Sequence, residues 1–272
     1  LEKKVVEEEK TEQPQREFVE AYPVYEPYAY IGIERLPTGS LRYTVIEPTL
    51  SSEETDLLMR IKGLLKTTLD VDVDSLKASD AANYLENKVL TLLKALNLRV
   101  RKATFNKLTY FLIRDHLRYG VIDPLMRDPK VEDISCDGPG VPVYVFHRDY
   151  ESLPTNIVFP DGDALDRFVM RLAYLAGRHI SVAQPILEAT LPDGSRVHIT
   201  YSVEVSKKGS TFTIRRFRED PYTIVDLIKF NTLSSEIASM LWFALEHKAS
   251  ILVAGGTASG KTTTINCLSM LI

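Results

Sequence analysis

The stretch Gly255-Gly-Thr-Ala-Ser-Gly-Lys-Thr262 fits the pattern G-x-x-x-x-G-K-[ST]. The four residues before it, 251–254, are apolar and typical of a strand, and the residues after it suit a helix. A strand, a glycine-rich loop and a helix in this order form the usual setting of a phosphate-binding loop. The stretch therefore predicts that an α/β domain begins near the end of the chain.

The chemistry of phosphate binding explains each residue type in this loop. Glycine lets the backbone turn and approach a phosphate closely, and successive N–H groups then point at the phosphate oxygens at the positive end of the helix dipole. Lys261 places a positive charge on the β- and γ-phosphates, and the Thr262 hydroxyl takes one Mg²⁺ position. The predicted ligands of ATP and Mg²⁺ are Gly255, Gly256, Thr257, Ala258, Ser259, Gly260, Lys261, Thr262 and Thr263, with Thr262 on the metal. The alternative is a glycine-rich turn with an incidental lysine.

Composition limits the other classes of protein. Hydrophobic residues make up 44% and charged residues 26% of the 272 residues, which is typical of a folded chain with one large domain or two to three small ones. The net charge of −4 excludes a general nucleic-acid binder. Two cysteines without C-x-x-C spacing exclude a disulfide framework and disfavour a zinc site, so we expect Cys136 and Cys267 to be buried. The five histidines form no metal-type pair, and no apolar run approaches the ~20 residues of a membrane span.

The pattern along the chain divides it into four parts. Residues 1–20, rich in glutamate, are predicted to be a mobile tail, with a partner-binding arm as the alternative. Residues 21–120 combine a hairpin (28–33 and 41–46) with helices over 51–66, 79–98 and 101–119, the first opened by a capping box at Ser51 and Glu54. Residues 121–219 predict a mixed α+β domain with strands at 131–136, 141–146, 156–159, 186–191, 196–201 and 211–217 and a helix at 163–176. Residues 220–272 follow a short linker and hold a helix at 234–248, the strand at 251–254 and the loop.

Residues 94–127 form a basic stretch, with eight lysines and arginines against two aspartates. A basic helical face of this kind binds an acidic partner or anionic lipid in some proteins. The alternative is a solvated face beside a core stripe.

The phosphate loop combines with several upstream stretches into a more specific pattern. With them, from about residue 25 to its end, the chain resembles the motor ATPases of type II secretion, type IV pili and the archaeal flagellum. The stretches are Asp123-Pro-Leu-Met-Arg-Asp-Pro129, Val131-Glu-Asp-Ile-Ser135, Leu191-Pro-Asp-Gly-Ser-Arg-Val197 and Thr213-Ile-Arg-Arg-Phe217. Tyr150-Glu-Ser-Leu and Thr155-Asn-Ile are most similar to the archaeal branch.

The resemblance implies a function and an assembly. The protein would hydrolyse ATP to drive protein export or filament assembly, as a homo-oligomeric, hexameric ring in the cytoplasm attached peripherally to the membrane through an inner-membrane platform protein. Its fold would be α/β and α+β multidomain, with a helical N-terminal unit, a mixed α+β middle domain and the start of a RecA-like P-loop NTPase domain. In that family N-domain arginines reach the nucleotide phosphates, and the matching positions are Arg196 and either Arg215 or Arg216.

Strand alternation offers an independent choice between these two arginines. In 211–217, Arg216 shares a face with Phe212 and Ile214, whereas Arg215 lies on the polar face. The predicted catalytic residues are therefore Lys261, Arg196 and Arg215. The alternative for each arginine is an ordinary salt bridge.

The chain also departs from the family pattern. A RecA-like domain needs further parallel strands, and the family's water-activating glutamate, second acidic motif and histidine motif would follow residue 272. We therefore expect this chain by itself to lack the residues for turnover, either as the N-terminal portion of a longer ATPase or as a sequence missing its C-terminal part. The alternative function is a nucleotide-binding but non-hydrolysing docking or regulatory module at an inner-membrane secretion platform. A small-molecule kinase is disfavoured, because such enzymes usually carry the loop near their start.

Overall fold

The computed structural model describes residues 17–68, 78–217, 221–256 and 259–272. The chain forms two compact units, Leu1–Phe217 and Arg218–Ile272. Most of the predicted tail, residues 1–16, lies outside the described residues. Among the residues that the structure describes, none of the helices has the length and apolar character to cross a membrane.

The first unit opens with three antiparallel strands, β1 (Glu17–Tyr25), β2 (Ala29–Arg35) and β3 (Leu41–Ile46). The predicted hairpin of β2 and β3 is confirmed. The assignment of residues 17–20 to the tail is wrong, because they lie in β1. Phe18 holds this strand in place, since its ring packs so closely on Gly32 that a Cβ there would lie 2.4 Å from it. Edge strands often carry charged residues, so the sequence of residues 17–20 did not indicate that Phe18 packs in a sheet.

Three helices follow: α1 (Ser52–Thr68), α2 (Ala78–Ala95) and α3 (Lys102–Leu117). The predicted capping box is present, because the Ser51 hydroxyl accepts from the Glu54 N–H at 3.1 Å and the Glu54 carboxylate accepts from the Ser51 N–H at 3.1 Å. The apolar stripes of the three helices meet in one cluster, built from Leu58, Ile61, Leu65, Leu85, Val89, Leu93, Leu108, Tyr110, Phe111 and Leu112. The helical N-terminal unit is therefore confirmed.

The mixed α+β part contains the short helix α4 (Asp123–Arg127), then β4 (Val131–Cys136), β5 (Pro142–His147), β6 (Glu151–Val158), α5 (Gly162–Leu175), β7 (Ile186–Thr190), β8 (Arg196–Thr200) and β9 (Thr211–Arg215). The sheet order is β1-β2-β3-β6-β5-β4-β9-β8-β7. Asn156 joins its two halves, because its side-chain amide accepts from the Val45 N–H and donates to the Val45 carbonyl, both at 2.9 Å. This side chain takes the place of a backbone ladder contact.

Helix α5 packs on one face of strands β4, β5, β8 and β9. Asp161 caps its start by accepting from the Ala164 N–H at 2.7 Å, and Gly177 follows its end with φ +66°, as the sequence predicts. Its apolar residues share a core with the inward residues of the strands, including Leu165, Phe168, Leu172, Ile134, Val197, Phe212 and Ile214. The outward residues of β8 and β9 stay exposed.

The second unit contains α6 (Ile224–Lys229), α7 (Ser235–Glu246) and α8 (Lys261–Ser269). Its buried side chains are few and include Leu227, Cys267 and Leu268. The predicted strand over 251–254 is wrong, because these residues take no strand conformation and Leu252 is 93% exposed. A strand is held by hydrogen bonds to a neighbouring strand, and the described part of this unit offers none.

A buried polar cluster ties the N-terminal strands to the rest of the first unit. Asp128 is fully buried, and its Oδ2 accepts from the hydroxyls of Tyr22 and Tyr43, each at 2.7 Å. The His147 Nε2 lies 3.1 Å from the Tyr22 oxygen. His147 Nδ1 accepts from the Asp149 N–H at 3.1 Å, so the neutral ring carries its proton on Nε2 and donates to Tyr22. These side chains come from β1, β3, β5 and the turn before β4.

We expect Asp128→Ala to lower the free energy of unfolding by about 3 kcal/mol, because two tyrosine hydroxyls lose their buried acceptor. Urea unfolding followed by far-UV circular dichroism measures this loss. Tyr43→Phe, which removes one donor and leaves Asp128 bound to Tyr22, is expected to cost about 1 kcal/mol. Equal losses of unfolding free energy in the two variants would contradict the interpretation that the Asp128 carboxylate is the shared acceptor of both hydroxyls.

The same cluster predicts a pH dependence. Burial lowers the pKa of His147, against the attraction of the Asp128 and Asp149 carboxylates. The unfolded chain therefore binds a proton near pH 6.5 that the folded chain does not bind, and this group reduces stability as the pH falls below about 6.5. Burial raises the pKa of Asp123 to about 6, so that group acts in the opposite direction between about pH 6 and 4.

A variant separates the two groups. The stability difference between the wild type and His147→Gln is expected to be larger at pH 7.5 than at pH 5.5, because only the wild type loses the His147 contribution on acidification. Urea unfolding of both proteins at the two pH values measures this difference in the free energy of unfolding. A difference that does not change with pH would contradict the lowered pKa.

Candidate functional site

The loop at 255–262 enters helix α8 at Lys261. Gly260 is the N-cap of this helix and has φ +80° and ψ 13°, a left-handed conformation that favours glycine. Gly255 approaches Ser259 closely, because a Cβ there would lie 2.5 Å from the Ser259 hydroxyl oxygen. Thr257 and Ala258 lie outside the described residues. The two glycines of the motif therefore serve two different purposes, one of conformation and one of close approach.

The carbonyl oxygen of Gly256 is the centre of the described part of the loop. It accepts a hydrogen bond from the Ser259 hydroxyl at 2.9 Å and another from the Lys261 Nζ. The lysine thus folds back over the loop instead of extending into solvent. An ammonium group held here has only a backbone carbonyl as its partner among the described residues, so an anion that enters the loop meets a charge that no carboxylate neutralises.

The start of α8 is chemically open. Its N-cap makes no side-chain hydrogen bond, and its first turn has no acidic residue. The N–H groups of Lys261, Thr262 and Thr263 precede the first intrahelical bond, from the Thr264 N–H to the Gly260 carbonyl at 2.9 Å. These groups and the helix dipole favour an anion at this end.

The hydroxyl of Thr262 fits the predicted Mg²⁺ ligand. Thr262 is exposed, and its hydroxyl makes no hydrogen bond to another described residue. In contrast, the hydroxyl of Ser269 in the last turn of the same helix donates to the Ile265 carbonyl at 2.7 Å. The oxygen of Thr262 therefore remains available to a hard cation.

The far end of α8 is anchored to the rest of the second unit. Cys267 is buried, and its thiol donates to the Tyr222 carbonyl at 2.9 Å, while burial raises the pKa of this thiol. Cys136 in the first unit is buried too, and burial raises its pKa. The prediction that both cysteines are buried is confirmed. Neither thiol has the lowered pKa of a nucleophile.

Arg196 and Arg215 lie directly opposite each other on β8 and β9. Both are on the exposed face of the sheet, and the Arg215 side chain is 79% exposed. The Arg215 Nε lies 3.5 Å from an oxygen of Asp133, its neighbour on β4, and no ion pair of Arg196 is found among the described residues. Like charges directly opposite in a sheet destabilise it, so this pair is a place where an anion would relieve repulsion.

Arg216 has a different environment. It is half-buried, and one terminal nitrogen donates to the backbone carbonyl of Asp128. Its own N–H bonds to the Glu132 carbonyl at 2.8 Å. The structure thus separates the two arginines as strand alternation predicts, with Arg215 on the open face and Arg216 against backbone carbonyls.

Sequence reasoning missed two features of these sites. It did not find that Asp133 contacts Arg215, because cross-strand neighbours depend on the register of two strands far apart in the chain. It also treated His147 as one of five scattered histidines, although this side chain belongs to the buried cluster of Asp128. In the described ranges, no group of three or more histidine, cysteine or acidic side chains is arranged to hold a metal ion.

The sequence of the loop and the helix that begins at Lys261 match the pattern of a phosphate-binding loop, and a unit of mixed helices and strands precedes them in the chain. The chain belongs to the type II/IV secretion system protein family, whose model matches residues 119–272. This match confirms the resemblance that the loop at 255–262 and the upstream stretches indicate.

Two relatives come from the archaeon Methanocaldococcus jannaschii. One uncharacterized protein is 37% identical over 270 residues, which cover 91% of this chain and 48% of the relative. A second uncharacterized protein is 42% identical over 165 residues, or 61% of this chain and 66% of the relative. The chain therefore spans about half the length of the first relative and about two thirds the length of the second.

Among solved structures, the chain is similar to the VirB11 ATPase of the Brucella suis type IV secretion system, crystallised with sulphate. That protein is 23% identical, with a TM-score of 0.34, and the match covers 55% of this chain and 50% of the other. Family membership rests on the family model and not on this structural similarity.

Proposed function

We propose that the protein binds ATP and Mg²⁺ through the loop at 255–262 and is a motor subunit that couples ATP hydrolysis to protein export or to assembly of a pilus or archaeal flagellum. The observation that carries the proposal is the position of Lys261, whose ammonium group lies over the loop at the uncapped start of α8. Membership of the secretion system family supports the link to transport.

In this proposal the β- and γ-phosphates of ATP replace the Gly256 carbonyl as the partner of Lys261. The backbone N–H groups at the start of α8 bind phosphate oxygens, and the hydroxyl of Thr262 holds Mg²⁺. The metal ion would neutralise part of the phosphate charge. A Cβ at Gly255 would meet the Ser259 hydroxyl, so glycine lets this part of the loop pack closely.

Arg196 and Arg215 are proposed as further phosphate ligands. Their guanidinium groups are exposed and adjacent across two strands. Among the described residues, Arg196 has no ion pair and Arg215 has only the exposed contact with Asp133 at 3.5 Å. Arginine is suited to bidentate binding of phosphate, and charge that develops on the γ-phosphate during hydrolysis strengthens such contacts. The resemblance assigns both positions to nucleotide binding.

The assembly is also part of the proposal. We propose a homo-oligomeric, hexameric ring in the cytoplasm, attached to the membrane by an inner-membrane platform protein. Support comes from the family and from the resemblance described above.

A second proposal is a nucleotide-binding but non-hydrolysing docking module. It is favoured by exposed cations of the helical N-terminal unit that have no acidic partner among the described residues. ATP binding and ATP turnover distinguish the two proposals when both are measured on this chain and on the longest product of its gene. Turnover by the longer product supports the motor, whereas binding without turnover in both supports the docking module. Absence of ATP binding in both would contradict both proposals.

A further inference from the structure

The fold places the eight cations of the basic stretch 94–127 in different environments. One group is neutralised internally: Lys107 lies 2.9 Å from Glu54, Arg114 lies 2.6 Å from Glu47, and Arg127 lies 2.7 Å from Asp123. Arg118 is half-buried, with its guanidinium group 5.7 Å from the centre of the Tyr25 ring. The remaining four cations are Lys94, Arg99, Arg101 and Lys102. All four are exposed, and none has an ion pair with a described residue.

The four remaining cations lie together at the turn between α2 and α3, which we call the α2–α3 apex (residues 94–102). Helix α2 ends at Ala95, and Asn97, with φ +53°, reverses the chain. The Leu98 N–H then bonds to the Leu93 carbonyl at 3.0 Å, which completes a C-terminal helix cap. Helix α3 begins at Lys102, so a short loop carries the chain from the last turn of one helix to the first turn of the next.

The local structure does not neutralise this charge. From residue 87 to residue 114 the sequence contains no aspartate or glutamate. The N-cap of α3 is Arg101, which makes no cap hydrogen bond, and the first turn of α3 has no acidic residue. Lys94 lies in the last turn of α2, where a cation favours the helix dipole, but Arg101 and Lys102 lie at the start of α3, where cations oppose it. The charge at the start of α3 therefore does not stabilise the fold. The carboxylate of Glu54, at the start of α1, is already occupied by Lys107, Thr104 and the Ser51 N–H.

The apex also presents an apolar side chain, because Leu98 is 39% exposed and directly precedes Arg99. A turn that combines guanidinium and ammonium groups with an exposed leucine suits the interface of a bilayer, where the cations meet lipid phosphates and the leucine meets the acyl boundary. An acidic protein surface would match the charge but would leave the leucine against polar groups. We propose that the α2–α3 apex binds the anionic surface of a membrane directly, independently of nucleotide.

Vesicle co-sedimentation of the complete chain tests this proposal. We expect binding to vesicles of phosphatidylglycerol and phosphatidylcholine, weak binding to phosphatidylcholine alone, and a loss of binding as salt is raised. Neutralising two cations in Arg99→Gln with Arg101→Gln is expected to lower the partition coefficient about 25-fold, since each cation near such a surface contributes about fivefold. Leu98→Ser is expected to give a smaller decrease.

A matched control removes the same charge elsewhere. Lys207 and Lys208 are exposed in the loop between β8 and β9, and Lys207→Gln with Lys208→Gln is expected to leave vesicle binding unchanged. Circular dichroism shows whether each variant is folded, and Lys94→Gln with Lys102→Gln provides a second pair if the first fails to fold. Lys261→Ala is expected to bind vesicles like the wild type, which keeps this test separate from the proposal on ATP.

Three results would overturn the proposal. The first is equal binding to anionic and neutral vesicles. The second is an equal loss in the apex variants and in the Lys207 and Lys208 control. The third is binding to polyglutamate without binding to vesicles, which would indicate an acidic protein as the partner instead.

Discussion

Replacing Lys261 with alanine is expected to lower the affinity of the chain for ATP roughly a hundredfold, or about 3 kcal/mol. The ammonium group lies over the loop, where its partner is the uncharged Gly256 carbonyl, so the β- and γ-phosphates are stronger partners than the one it leaves. Isothermal titration calorimetry with ATP and Mg²⁺ measures this change. In a longer product that hydrolyses ATP, turnover is expected to fall to background.

A matched variant controls for the loss of one charge. Lys248 is exposed just beyond α7 and outside the loop, and Lys248→Ala is expected to keep the affinity for ATP. The fold should tolerate Lys261→Ala, because α8 is anchored at its other end by Cys267 and Leu268. Unchanged ATP affinity in a folded Lys261→Ala protein would show that the glycine-rich loop is a turn with an incidental lysine.

Replacing Arg196 and Arg215 together with alanine is expected to lower ATP turnover of the longer product by about two orders of magnitude while the free energy of unfolding changes by less than about 0.5 kcal/mol. The two effects differ because the arginines stabilise a bound phosphate more than they stabilise the fold. Removing the pair relieves repulsion across β8 and β9, and this gain offsets the loss of the exposed contact with Asp133.

Steady-state kinetics and urea unfolding on the same preparations test this prediction. Arg216→Ala is the contrasting variant, since its side chain donates to the Asp128 carbonyl and its loss should reduce stability. Parallel losses of turnover and stability in the Arg196 and Arg215 variant would assign both residues a structural role.

Much of the fold follows from local sequence patterns. The hairpin of β2 and β3, the Ser51 capping box and the helices α1–α3 depend on turns, caps and apolar spacing within about 20 residues, and the structure contains all of them. The start of β1 was not predictable in this way, because Phe18 stabilises the strand only when its ring packs on Gly32. The region 251–254 has the apolar composition of a strand but no strand conformation, since a strand depends on a neighbour and not on its own residues.

The sequence by itself predicted the phosphate-binding loop, because local backbone geometry and the chemistry of one anion explain each of its residue types. Alternation over residues 211–217 also predicted that Arg215 and Arg216 lie on opposite faces, although β9 ends at Arg215. Only the tertiary structure decided that Arg196 faces Arg215, that Asp128 receives two tyrosine hydroxyls, and which cations of 94–127 are neutralised. Each of these contacts joins residues that are distant in the chain. Strand register and packing decide them, and both depend on many weak contacts that a local sequence pattern does not contain.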